Sequence, residues 1–482
     1  MTSPRLSDAL WPSLHGLVSP AYDRLKIGPG IVHIGVGGFH RAHQAVYTDD
    51  VLNAHGGNWG IVGASLRSHT AASQLLPQDG LYTVNTLAPG QVQRRVIGAI
   101  QNVLTLTEPS AYAQFLATLA DPNIHVMTLT VTEKGYCQNQ TGLDTTHADV
   151  QTDLQQPAHC VSLPGVLCAG LRARQQANAG PVTLISCDNL SGNGDVLAAV
   201  VGEFATLTDP SLSSWIASNV SFPNTMVDRI VPATTNHARA EFAKSNGFVD
   251  EAMVNCEPFK QWVIEDRFVG PRPAWEAVGA FVVADVAPYE SAKLRLLNGP
   301  HSACAYLGLL TGYQHIHQVM QDTELSQFVR RLVADEIQPT VTPPPNLDLR
   351  DYTTSIFNRF ANSAIAYGTR QVGTDGSQKL PQRLVPVVHE RLQAGQPIER
   401  LALVFAAWLA HLVEPAPDPL ANQLQHLYSA HPQPEHLIGA ISQETSILQG
   451  LGGYVDQFTD AVEPKLSQIK RNGLAAALKQ VA

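Results

Sequence analysis

The run Ile31 to Gly37, IVHIGVG, constrains the fold most: β-branched residues lead straight into glycines and then into a helix-compatible segment from Phe39 to about Asn53. Val and Ile favour strands, and glycine permits the sharp turn that follows. A strand, a tight turn and a helix in this order begin a βαβ unit, because a parallel neighbour can be reached only by a crossover. Further strands are expected at Trp59 to Leu66, Ile124 to Thr132 and Val182 to Cys187, with a hairpin formed by Leu81 to Leu87 and Val92 to Ile100 about Pro89-Gly90. The alternation predicts an α/β fold with a Rossmann-like, doubly wound parallel sheet. Beyond Asp285-Val286-Ala287-Pro288, helix-like stretches dominate: Tyr289 to Leu297, His301 to Thr311, Glu324 to Ile337 and Ile398 to Val413. A dinucleotide-binding domain is therefore expected over 1–286 and a mainly α-helical, substrate-binding domain over 287–482. Pro339 to Pro345 and Gly368 to Pro381 read as loops within the latter.

Size agrees with two domains, since 482 residues exceed what one hydrophobic core usually serves. The net charge of −10, with no block of like charge, points away from nucleic acid and anionic membranes. Six widely spaced cysteines contain no C-x-x-C pair, so structural zinc is not expected and reduced thiols of a cytoplasmic protein are. The N-terminal residues, without a continuous apolar run, lead us to expect no secretory signal, and the apolar run from Leu401, even extended to Val413, is too short to cross a bilayer.

Gly35-Val36-Gly37-Gly38-Phe39-His40-Arg41 follows the first strand, where backbone N–H groups and a helix N-terminus can receive a pyrophosphate. Gly35, Val36, Gly37, Gly38, Phe39 and Arg41 are the candidate contacts. Gly35 and Gly37 fill the first two glycine positions of G-x-G-x-x-G, whereas His40 fills the third, so helix and strand are expected farther apart. After the second strand, where an acid would bond the adenosine ribose of NAD, stand Leu66-Arg67-Ser68-His69-Thr70. Arg67, Ser68 and His69 could instead receive a 2′-phosphate, which inclines the expectation from NAD toward NADP. The competing reading is a solvated loop tip.

Lys293-Leu294-Arg295-Leu296-Leu297-Asn298-Gly299-Pro300-His301 places an amine, a carboxamide and an imidazole in a mostly apolar stretch. Oxidising a secondary alcohol requires a base for the hydroxyl proton and donors for the oxyanion, and burial can bring a lysine into range for the first task. Pro300 clashes with the carbonyl of Leu296, so a kink, or a new helix beginning near Pro300, is expected. Taken alone, the triplet reads sooner as a surface lysine, a capping asparagine and a core histidine.

Several ordered segments together resemble the long-chain polyol dehydrogenases, the mannitol 2-dehydrogenase family: Ile31 to Asp50, TVTEKGYC from Thr130, SCDNLSGNG from Ser186, FPNTMVDRIVP from Phe222, CEPFKQWVIEDRF from Cys256, and Lys293 to His301. The resemblance implies metal-independent hydride transfer between a polyol and a ketose, D-mannitol to D-fructose at C2 being the leading pair. It assigns Lys293 as general base, Asn189 and Asn298 as paired oxyanion donors, His301 as the residue orienting substrate, and Asp228 to the surroundings of the nicotinamide. Glu290, three residues before Lys293, is either an ion-pair partner or a proton relay. Arg370 and Lys379 lie in a segment similar to the family's substrate lining. NAD-using members carry an acidic pair after L-R-S; here His69 and Thr70 replace it. Alternatives are a relative acting on D-arabinitol, D-sorbitol or a hexuronate such as fructuronate, and a non-catalytic dinucleotide-binding sensor. Oligomeric state has no readable signature, and a monomer is compatible with everything above.

Overall fold

A computed structural model describes residues 3–14, 16–139 and 142–481, in two compact units, Met1–Ala287 and Pro288–Ala482. The first is built on a six-stranded parallel sheet: β1 (Pro29–Ile34), β2 (Gly60–Ser65), β3 (Ile100–Thr105), β4 (Val126–Leu129), β5 (Val182–Ser186) and β6 (Val220–Ser221). Their order is β6-β5-β4-β1-β2-β3, so the chain moves outward from β1 in one direction and then crosses back to build the other half. Strand alternation sends Val32 and Ile34 into one core, with Phe115, Leu167 and Phe204, and Ile31 into the other, with Val46, Leu52 and Leu75. Helices thus cover both faces, as doubly wound sheets require. Burying Ile31, Val32 and Ile34 contributes about 5–9 kcal/mol before entropy is counted. The hairpin about Pro89-Gly90 forms as Tyr82–Ala88 against Gln91–Ile97.

The second unit is helical. Residues Leu401 to Leu409 of the helix Glu399–His411 are all buried, and a helix apolar on every side belongs at the centre of its domain. Its first turn is capped from a distance: the buried Glu336 carboxylate accepts the N–H groups of Arg400 at 2.8 Å and Leu401 at 2.9 Å.

Two expectations need amendment. The helix after β1 is not continuous, since Gly38–Ala42 and Gln44–His55 meet at His43, which leaves helical geometry with φ −127° and ψ −86°. Gly368 to Pro381, read as a loop, contains the helices Thr369–Val372 and Gly376–Arg383. Asp418 stabilises the second by accepting the N–H and hydroxyl of Ser377 in its first turn, where a backbone N–H has no intrahelical acceptor.

Candidate functional site

In the first unit, a cavity of about 620 Å³ opens at the carboxyl ends of β1, β2 and β4, bounded by Gly35 to Gly37, by Ser65 to Ser68 and by Thr130 to Thr132. This is the end of an open parallel sheet at which ligands bind. Gly35 takes φ +96°, and a Cβ there would stand 2.0 Å from the carbonyl oxygen of Thr130, so only glycine fits. Its N–H donates to Ala64 O at 2.8 Å, while its carbonyl accepts from Thr130 Oγ1 at 2.8 Å. The turn is thereby fixed to the strands on both sides. At Gly37, by contrast, a Cβ would meet nothing nearer than Gly35 O at 3.9 Å. An open approach to a glycine turn that ends at a helix N-terminus fits the pyrophosphate of a dinucleotide.

His40 occupies the third glycine position between β1 and the helix that follows it. Its ring stacks on His33 of β1, with centroids 3.3 Å apart and 14° between planes. Burial lowers the pKa of His33 and of His43 to about 3 and that of His40 well below its usual value. All three are therefore neutral packing groups near pH 7.

Of the residues expected at the cofactor, Gly35, Val36, Gly37, Arg41, Arg67 and Ser68 line this cavity; Gly38, Phe39, His69 and Asp228 are not part of its lining. Arg41 is buried, with Nε donating to Gly37 O at 3.3 Å. Arg67 pairs with Asp149, from the helix Ala148–Gln155, and His147 Nδ1 lies 3.7 Å from the same carboxylate. His69 is exposed, 3.8 Å from Glu108. Asp228 is buried at the end of the strand Thr225–Asp228.

Sequence reasoning missed Asp149, and it missed Asp188. The Asp188 carboxylate accepts the N–H of Val131 at 3.0 Å, that of Thr132 at 2.9 Å and the hydroxyl of Tyr136 at 2.9 Å, holding one wall of the cavity. The signal was present in SCDN, where Asp188 precedes the exposed Asn189 just beyond β5.

In the second unit, Lys293 closes the helix Ala287–Lys293 and is 7% exposed, a rare environment for lysine. The half-buried Glu290 lies in that helix's first turn. A π-helical turn, Leu294–Asn298, comes next, and the helix Gly299–Thr311 follows with Pro300 in its first turn. The N–H of Gly299 donates to Leu294 O, five residues back. Pro300 has no N–H to offer Leu296, and the widened turn accommodates that loss without breaking the helical path. The expected break is therefore a π-bulge. Asn298, its last residue, has Oδ1 buried and without a hydrogen-bond partner among the described residues. His301 stacks on Phe360, at 4.9 Å between centroids, and on Tyr367, at 5.3 Å.

Lys293, Asn298 and His301 are thus set on one interrupted helix. Arg370 is exposed, with Nη2 3.4 Å from Pro415 O, and Lys379 Nζ donates to Thr374 Oγ1 at 3.2 Å and Val372 O at 3.3 Å. Arg383 was not anticipated. Its Nη1 donates to Ser302 Oγ at 3.1 Å and to the carbonyl of Asn298 at 3.4 Å, so it grips the end of the bulge.

Comparison with known proteins supplies independent findings. Residues 29–277 match the model of the mannitol dehydrogenase Rossmann domain, and residues 285–469 that of the mannitol dehydrogenase C-terminal domain. Mannitol 2-dehydrogenase of Cereibacter sphaeroides is 43% identical over 81% of this chain and 82% of its own length. D-mannonate oxidoreductase of Escherichia coli is 40% identical over 81% and 82%. Pseudomonas fluorescens mannitol 2-dehydrogenase, solved as a ternary complex with NAD and D-mannitol, superposes with a TM-score of 0.86 at 37% identity, covering 99% of both chains.

Proposed function

The chain belongs to the mannitol dehydrogenase family, an oxidoreductase acting on a secondary alcohol with a nicotinamide dinucleotide, and from that premise we propose that it oxidises linear polyols reversibly to ketoses, with D-mannitol to D-fructose at C2 as the reference pair. The observation that carries the reading is the π-bulge, which sets a buried amine, a buried unpartnered amide oxygen and a ring-stacked imidazole on one interrupted helix. A purely structural helix gains nothing from this combination.

In this reading Lys293 takes the hydroxyl proton, and burial, which disfavours a charged amine, suits it to that task. Asn298 and Asn189 donate to the oxygen that gains charge, each worth about 3–4 kcal/mol by comparison with one oxyanion-hole donor. His301, held by Phe360 and Tyr367, fixes a neighbouring hydroxyl. Glu290, one turn before Lys293, is the candidate to pass the proton to solvent. The bound dinucleotide supplies the hydride acceptor, and Gly35, Gly37 and Arg41 are the groups that would hold its pyrophosphate. Arg67 and Ser68 favour NADP, although a 2′-phosphate must compete with Asp149 for the guanidinium.

Lys293→Ala tests the assignment. Turnover, followed as formation of reduced nicotinamide with a polyol panel and both cofactors, should fall by about 10²–10⁴-fold while the dinucleotide still binds. Retained turnover would remove Lys293 from the role of base.

A further inference from the structure

Asn193 opens the helix Asn193–Thr208 and is fully buried, yet its carboxamide does not cap that helix. The N–H groups of Gly194 and Asp195 are received instead by Asn224 Oδ1, at 2.8 and 3.2 Å. The Asn193 side chain reaches away from its own helix. Its Oδ1 accepts the N–H of Thr225 at 2.9 Å, and Nδ2 shares its two hydrogens among Asp188 O at 3.0 Å and Thr225 O and Oγ1, both at 3.1 Å. The amide thus pairs with Thr225 as a neighbouring strand would. Thr225 Oγ1 closes the circuit by donating to Ser186 O at 2.6 Å, at the end of β5. Gly192, with φ of +58°, turns the chain into the helix, and Gly194 lies so near the next segment that a Cβ would stand 2.5 Å from Pro223 O. The 188–193 segment is therefore pinned at both ends, with Asn189 exposed between them.

We propose that Asn193 is a positioning residue for hydride transfer, one that holds the 188–189 peptide plane against the strand Thr225–Asp228 and so aims the Asn189 carboxamide at the oxygen that gains charge. The inference rests on the reading of Asn189 as an oxyanion donor. Asp188 O belongs to the peptide unit whose N–H is that of Asn189, so the bond from Asn193 sets the plane from which the Asn189 side chain departs. The Asp188 carboxylate has other work, since it is bound to Val131, Thr132 and Tyr136 at the wall of the nucleotide cavity. Removing the Asn193 amide therefore loosens the donor while the cavity wall keeps its ties. A buried amide with all its partners made is rigid, and a displacement of about 1 Å at a reacting group can cost about 100-fold in rate.

A double-mutant cycle with Asn189 tests the proposal, using whichever of D-mannitol, D-arabinitol and D-sorbitol the wild type oxidises fastest. Asn193→Ala should lower kcat by about 10–100-fold and leave the Kd for NADH or NADPH within about threefold of wild type. Asn189→Ala should lower kcat by about 10²–10³-fold. Adding Asn193→Ala to Asn189→Ala should cost less than about threefold more, because a residue that acts through Asn189 then has nothing left to aim. Asn193→Asp keeps the shape and the acceptor for the Thr225 N–H but puts an oxygen where Nδ2 faces Asp188 O; it should reproduce the loss, and it decides the matter if the alanine variant does not fold. Losses that multiply in the double variant overturn the inference and leave Asn189 standing as a donor. So does an unchanged kcat in Asn193→Ala, or a loss that appears equally in nucleotide Kd, which would mark a general loosening of the domain. A wild type that oxidises none of the three polyols, or an Asn189→Ala enzyme with wild-type kcat, sinks the underlying reading and the positioning role with it.

Discussion

Three glycines of the turn after β1 stand within four residues of each other, yet a methyl group should have a different effect at each. At Gly35, φ of +96° already costs a side chain about 1–2 kcal/mol. The new Cβ would also lie 2.0 Å from Thr130 O, about 1 Å inside any tolerable approach. Because Thr130 follows β4, neighbour of β1, relief means spreading two central strands, and overpacking of that kind adds about 1–3 kcal/mol. At about 2–4 °C per kcal/mol in a domain of this size, Gly35→Ala should lower Tm by about 4–20 °C. Gly37→Ala has only Gly35 O within 4 Å, at 3.9 Å, so Tm should hold while the methyl fills the space a pyrophosphate approaches. A steric cost of about 1–3 kcal/mol there weakens NADPH or NADH by about 5–150-fold. Gly38→Ala meets only Val231 at 3.7 Å and Val254 at 3.9 Å, ordinary contacts, and should leave both quantities unchanged. Thermal melts and nucleotide fluorescence titrations of the three variants check the series. Wild-type nucleotide affinity in Gly37→Ala would refute the placement of the pyrophosphate, and a wild-type Tm in Gly35→Ala would refute the strain argument.

Asp149→Asn removes the acid that competes for Arg67. Since the Arg67 side of the pair is largely exposed, the ratio of kcat/KM for NADP over NAD should rise by only about two- to fivefold; no change would take Asp149 out of cofactor choice. The buried histidines make a pH prediction. Their folded pKa values lie below the unfolded value of about 6.5, so the unfolded state binds the protons first, and stability present above that pH is lost as pH falls toward 3. Urea midpoints should fall from pH 7 to pH 5, each histidine contributing up to about 1.4 kcal/mol per pH unit, and His40→Asn should flatten that slope; an unchanged slope would exclude His40 as a contributor.

What the sequence revealed was local. The β1 turn, the hairpin about Pro89-Gly90 and the interruption near Pro300 each follow from residues within a few positions of one another. What it concealed was set by distant partners. Asp149 meets Arg67 across 82 positions, and Arg383 meets Asn298 across 85. No periodicity connects such pairs. Gly368 to Pro381 looked irregular because of its glycines and proline, and it folds as helix because Asp418, 41 positions beyond Ser377, supplies the missing acceptor. The π-bulge escaped for another reason: a change of hydrogen-bond register leaves the apolar pattern of Leu294, Leu296 and Leu297 untouched.

Asp188 has a mechanical consequence. Its carboxylate is tied to the backbone of Val131 and Thr132 at the nucleotide cavity, and the next residue in the chain is Asn189. Those ties act like a rocker arm. If a dinucleotide occupies the cavity as proposed, pressure on the 131–132 wall passes through two backbone hydrogen bonds to the residue that precedes Asn189.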